Sequence, residues 1–170
     1  MKKLFMITAV LLAFAACQPP ADNSANEMFK KNSATVMAYL KAFQAENIDY
    51  TIFSDDFVSV GTSFGSQKDQ SLQEMIDLDK RMMAAYDFKL LGMDSLILLP
   101  GVDQKTLTMN GSVRYYGLWE VTKPATDSTA AKTGRLAGYE SFDFNEDGKI
   151  RLQQIYGDAG SLFQYLNSKD

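Results

Sequence analysis

Asp79 is the residue whose placement most directly suggests chemistry. On a helical wheel it falls in the middle of an apolar stripe formed by Leu72, Met75, Ile76, Met82, Met83 and Tyr86, on the side that packing would bury. Desolvation would make such a carboxyl hold its proton to higher pH, and a partner such as Arg114 or a tyrosine hydroxyl would offset the cost. Its functional role would be a pocket acid or base. The structural alternatives are an ion pair, or a stripe that turns Asp79 to water. Glu140 shares strand parity with Phe142 and Phe144, which points a second carboxyl inward among aromatic rings. A bulge would reverse that parity, and the aromatic face could equally be a partner surface. The set Tyr115, Tyr116, Trp119, Tyr139, Phe142 and Tyr156 suits a pocket lining, and equally an ordinary sheet core.

Composition removes other chemistries. The chain has 170 residues, one cysteine and no histidine, which excludes a Ser-His-Asp triad, a Cys-His dyad and an imidazole zinc site. A formal charge of -4 speaks against nucleic acid, whose binding needs a clustered basic surface. The run Asp143-Phe144-Asn145-Glu146-Asp147-Gly148-Lys149-Ile150 matches the start of a calcium loop, yet position twelve is Gln154. Without the bidentate carboxylate, and with strands on both flanks, it reads as a β-hairpin turn. No metal and no cofactor is expected.

Met1, Lys2 and Lys3 precede an apolar run from Leu4 to Ala16, too short for a spanning helix of roughly 20 residues and built like an export leader. The segment Leu12-Ala13-Phe14-Ala15-Ala16-Cys17 resembles a bacterial lipoprotein signal, with Phe14 where such signals usually carry Leu. The alternative is an ordinary secreted chain with a free thiol. The lipoprotein resemblance implies cleavage before Cys17, lipidation of that residue, and a location in the bacterial cell envelope, at the outer membrane or the periplasmic face. Residues 1–16 are then the signal and 17–26 a polar tether. The domain occupies 27–170.

The elements that must position the candidate residues follow from periodicity. Phe29, Val36, Met37, Leu40 and Phe43 mark an amphipathic helix from Glu27 to Asn47, with Tyr39 at the edge of its stripe. Asn47 is read as the cap of a short helix through Phe53, closed by Asp55-Asp56, with a strand from Phe57 to Thr62. Gly61 and Gly65 mark a turn. Ser66 to Asp69 and Ser71 to Glu74 both read as capping boxes before a third helix ending near Tyr86. Strands follow at Phe88 to Leu99, Lys105 to Thr122, Arg135 to Phe144 and Ile150 to Gly157, with Pro100-Gly101, the loop Lys123 to Thr133, and Asp147-Gly148 as connections. Gly160 to Leu166 closes the chain as a short helix. Helices first and strands after predict an α+β domain.

That order, with Phe53-Ser54-Asp55-Asp56-Phe57, Gly117-Leu118-Trp119 and Gly148-Lys149-Ile150 followed by Tyr156, Asp158, Leu162, Gln164 and Leu166, resembles the nuclear transport factor 2-like superfamily in its SnoaL-like branch. The resemblance spans Glu27 to Leu166. It implies a cone-shaped half barrel, three N-terminal helices on a curved antiparallel sheet, around one apolar pocket. Asp158 matches the catalytic aspartate of the SnoaL-like cyclases, whose histidine partner this chain lacks. In the ketosteroid-isomerase branch the general base would stand at Gly61, and Tyr39 matches the helix tyrosine. The resulting expectation is a lipid-anchored envelope protein binding a small apolar or amphipathic molecule. Asp79, Glu140 and Asp158 are its candidate acids; Tyr39, Arg114, Tyr116, Trp119 and Tyr156 are its candidate ligand contacts. The alternatives are an isomerase, cyclase or lyase working with carboxylate and tyrosine, or an interaction module forming a homodimer through its sheet face. Cys17→Ala is expected to release the protein from the membrane fraction of its host. Unchanged retention of the variant on membranes would refute the anchor.

Overall fold

The computed structural model describes residues 23–62 and 68–168. The leader, Cys17 and Ser66 of the first capping box lie outside them. Helix α1 (Ser24–Gln44) begins before the expected Glu27 and buries Asn32, Val36, Tyr39 and Leu40, which recur every three or four residues as one helical face must. Tyr39 is therefore central to the buried stripe and not at its edge. Phe29 and Phe43 pack only partly.

The expected short helix after Asn47 is a 3-10 turn, Tyr50–Ile52, capped by Asp49, whose carboxylate accepts the Thr51 amide at 3.0 Å. β1 (Phe53–Val60) starts at once, so Asp55 and Asp56 stand exposed on a strand rather than closing a helix. After β2 (Gln70–Ser71), the second capping box is present. The Ser71 hydroxyl accepts the Glu74 amide, and the Glu74 carboxylate accepts the Ser71 amide at 2.8 Å. Both satisfy donors that would otherwise be orphaned at the start of α2 (Leu72–Met83).

Gly92, at φ +73, breaks the expected long strand into β3 (Asp87–Leu91) and β4 (Leu99–Val102), with a 3-10 turn, Met93–Ser95, between them. Pro100-Gly101 lies within β4, where Pro100 pairs with Val113, and is not a connection. The turn comes later, where the Asp103 carboxylate accepts the Lys105 and Thr106 amides. β5 (Met109–Lys123) runs 15 residues, long enough for β3 and β4 to share one of its edges. β6 (Lys132–Phe144), β7 (Ile150–Tyr156) and α3 (Ala159–Leu166) complete the chain.

The seven strands form one sheet in the order β2-β1-β7-β6-β5-β3, with β4 also on β5. It is mixed, not antiparallel: β1 runs parallel to β7. A hairpin cannot make a parallel pair, and here everything between β1 and β7 serves as the crossover. One sheet face presents Val113, Tyr115, Trp119, Val121 and Phe142 to the helices, where Val36 and Leu40 complete the core. Two α-helices precede the main strands and the third follows them. The expectation of three N-terminal helices holds only if the 3-10 turn is counted.

Asn32 joins the helical layer to the sheet, donating from Nδ2 to the Gly111 carbonyl at 2.8 Å in a buried position. Gly111 lies at φ +78 against Met28, a conformation and a close approach that favour glycine. Asn32→Ala would orphan that carbonyl. It is expected to destabilise the fold by about 1–3 kcal/mol in urea denaturation, and an unchanged midpoint would show that the bond contributes nothing net.

Candidate functional site

A cavity of about 340 Å³ lies between the inward face of the sheet and the three helices. Leu40, Phe43, Met75, Met82, Phe88 and Val121 supply apolar wall, while Tyr39, Asp79, Glu140 and Gln153 supply the polar groups. Alternation along β6 places Glu140 on the same face as Phe142. It lies directly opposite Tyr115 of β5.

Glu140 is held by neutral donors. The Tyr115 hydroxyl donates to Oε1 at 2.6 Å and the Gln153 amide to Oε2 at 3.2 Å, while the Trp119 indole N–H donates to Tyr115 Oη at 3.4 Å. Gly117 makes this possible. A Cβ there would sit 2.7 Å from Tyr115 Cε2, so the bare Cα leaves room for the phenol to lie along the strand toward Glu140. Burial pushes the Glu140 carboxyl up to about 7, the Asp79 charge adds to the rise, and the two hydrogen bonds hold it back.

Asp79 comes from α2 and is 9% exposed. Tyr50, on the 3-10 turn, donates to its Oδ2 at 3.2 Å; among the described residues Oδ1 receives no hydrogen bond. Burial pushes this carboxyl up to about 6 against the opposing effect of the Tyr50 bond. Tyr39 lies within the field of both acids. Burial and their two charges raise its hydroxyl well above the usual phenol value, while the Gln153 amide favours its ionised form. Its ring is fixed edge-on between Phe53 and Phe142, at 5.5 and 5.8 Å.

Near neutral pH two carboxyls of one cavity are thus divided between the protonated and the ionised form, which is the condition for exchanging a proton with a bound molecule. No Lys or Arg among the described residues lines the cavity. Among the described residues there is also no cluster of metal-ligating side chains.

The other candidate residues go elsewhere, except Trp119 on the wall and Tyr156 at the cavity's edge. Arg114 faces away from the cavity and pairs with Asp143 at 3.1 Å. Asp79 therefore has a phenol for a partner, not a guanidinium. Strand parity decides this, since Arg114 alternates with the inward Val113 and Tyr115. Tyr116 is 68% exposed on the same outer face, in a row with Tyr139 and Tyr156 at centroid spacings of 5.1 and 6.0 Å. Asp158 caps α3, accepting the Ser161 amide at 3.2 Å, and the Ser161 side chain together with that amide holds its carboxyl below the usual range. It does not line the cavity. Gly61 lines it without contributing a side chain. The Asn145–Lys149 segment is a hairpin turn with Gly148 at φ +76, as its flanking strands require.

Sequence reasoning missed Tyr50 and Gln153. The parity of β7 offered Gln153 and Gln154 as equal inward candidates, and the register that pairs Gln153 with Phe142 selects the first. Nothing local marks Tyr50, which reaches Asp79 from 29 residues away.

Helices over one face of an open mixed sheet, with a cavity between the layers, are consistent with the nuclear transport factor 2-like fold. Solved structures superpose on the chain accordingly. A candidate polyketide cyclase of Xanthomonas campestris pv. campestris matches with a TM-score of 0.60 at 18% identity, covering 82% of this chain and 96% of its own. A SnoaL-like candidate polyketide cyclase of Shewanella denitrificans gives 0.56 at 13%, covering 81% and 98%. A nuclear transport factor 2-like protein of Burkholderia xenovorans gives 0.58 at 10%, covering 81% and 97%. No protein-family model matches the sequence, and neither does any curated protein.

The raised carboxyls have a signed consequence for stability. Below about pH 4 both are protonated in folded and unfolded chains alike. As pH rises through 6 to 7 the unfolded chain has released protons that the folded chain retains, so their contribution to stability falls by up to about 1.4 kcal/mol per pH unit for each group. The denaturation midpoint of Asp79→Asn/Glu140→Gln, relative to the wild type, is expected to climb between pH 4.5 and 8. A constant difference would mean that neither carboxyl is perturbed.

Proposed function

We propose that this domain binds a small, mainly apolar molecule in the enclosure between sheet and helices, with the molecule's polar group directed at Asp79 and Glu140. The observation that carries the reading is the cavity itself. About 340 Å³ is left unfilled inside an otherwise packed core, with two carboxyls facing it. Ligand pockets commonly combine apolar walls with a few convergent polar groups. That two structural neighbours are candidate polyketide cyclases accords with a small organic ligand. In this reading residues 1–16 direct export, and lipidated Cys17 holds the cone-shaped domain at the face of a bacterial membrane.

Two further readings rest on particular observations. The unequal acidities of Asp79 and Glu140 suit an isomerase, cyclase or lyase in which one carboxyl takes a proton and the other returns it. Conversion of the released ligand by the wild type but not by Glu140→Gln is the test. The exposed Tyr116, Leu118 and Tyr156, with half-buried Tyr139 between the two tyrosines, suit a homodimer through the outer sheet face.

Native mass spectrometry of the mature protein, purified gently from its own host, reads ligand and subunit number together. The wild type is expected to carry a small molecule that Leu136→Trp, which fills the cavity, has lost. Bare polypeptide mass in both would sink the ligand reading, and monomers at high concentration would sink the dimer.

A further inference from the structure

The charges around the cavity narrow the chemistry of what it holds. Asp79 and Glu140 face the same space, and among the described residues the groups that line it or bond to the two carboxyls are neutral or acidic. Tyr39 comes from α1, Tyr50 from the 3-10 turn, Tyr115 from β5, Gln153 and Tyr156 from β7, while α3 contributes Ala159 and Phe163. The nearby cations are committed or turned away. Arg114 pairs with Asp143 and Arg135 with Glu120 on the outer sheet face, Lys68 pairs with Glu74 at the surface, and Lys80 and Arg81 are exposed on α2.

Burying a carboxylate without a counter-ion is costly unless hydrogen bonds or a partner charge compensate. Phenol and amide donors meet Glu140 on both oxygens. Asp79 receives one phenol bond on Oδ2, and among the described residues nothing donates to its Oδ1, though the residue lines the cavity and is 9% exposed. The cavity wall includes the aromatic rings of Phe43, Phe88, Trp119 and Phe163, and aromatic faces attract a desolvated cation. A bound anion would meet two acids and no cation.

We propose that the ligand is an apolar amine, held as its ammonium between Asp79 and Glu140 with its hydrocarbon body against the aromatic wall. The inference rests on the small-molecule reading above. The ammonium supplies the charge that the protein leaves out, donates to Asp79 Oδ1, and gives the cavity a preference that shape alone would not. It also opposes binding of fatty acids and other carboxylates, which share the apolar body and carry the wrong sign.

The chain has one tryptophan, and because Trp119 lines the cavity its emission reports occupancy. Three probes of one shape separate the possibilities: 1-adamantylamine, 1-adamantanol and 1-adamantanecarboxylate, titrated into the full mature protein at pH 8 and pH 5. At pH 8 the amine is expected to bind about tenfold or more tighter than the alcohol, a factor equivalent to about 1.4 kcal/mol, and the carboxylate weakest. Toward pH 5 the preference is expected to shrink, since the amine stays protonated while the carboxyls regain their protons. Asp79→Asn/Glu140→Gln is expected to keep the alcohol and lose the preference; should it not fold, the pH dependence of the wild type decides alone. Equal affinity for amine and alcohol at both pH values, or tighter binding of the carboxylate, overturns the amine and leaves the small-molecule reading standing. Failure of all three to change Trp119 emission overturns both.

Discussion

A sheet with one apolar face must have that face covered, and here three helices of unequal length have to cover seven strands. α1 packs along β5, α2 against β1 and β2, and α3 against β6. The space between them remains open because the side chains that could fill it are spent elsewhere. Tyr39 is fixed between Phe53 and Phe142, and Tyr115 lies along its own strand. The cavity is thus what remains between three helices that each satisfy their own contacts on different strands of the sheet. Interiors otherwise pack to crystal-like density, so this absence of filling is informative.

The same geometry determines the electrostatics. Asp79 and Glu140 both line the cavity beneath the helices, so their charged forms lose hydration that phenols and a side-chain amide replace in part. Tyrosine and glutamine suit that task because each donates a hydrogen bond without bringing a charge that would lock the carboxylate open. A lysine in place of Tyr115 would make Glu140 a permanent anion, and the pair would no longer respond near neutrality. The site's response to its surroundings comes from what it leaves unneutralised.

Much of this was legible from the sequence. The stripe around Asp79 and the parity of Glu140 are local patterns, and local patterns survive into a fold unless a bulge or cap intervenes. Ser71 and Glu74 announced the start of α2 for the same reason. What failed were statements about where strands meet. Charge alone offers Arg114 beside a tyrosine hydroxyl as partner for Asp79, and the alternation of β5 sends Arg114 to the other face while Tyr50 supplies the hydroxyl. Pro100-Gly101 carried the composition of a turn but pairs along β5, whose length accommodates a second short strand on one edge. Asp158 was assigned from a likeness of spacing, and the first turn of α3 takes its carboxylate as a cap. Tyr50 could not be read at all, since nothing near it in the chain records the helix that its hydroxyl will meet.

The parallel pairing of β1 with β7 bears on how the molecule comes into being. β1 and β2 join the rest of the sheet only through β7, and the Ser54 hydroxyl reaches the Ile150 carbonyl across 96 residues of chain. During synthesis the β1–β2 edge against which the helix of Asp79 packs therefore has no sheet to join until the last strand has emerged. Such long-range closure is intrinsically slow, because loop entropy is lost before any contact returns it. The pairing that ties the wall carrying Asp79 to the strand carrying Glu140 runs through β7, so a chain that stops short of β7 lacks the strand that joins the two halves of the site.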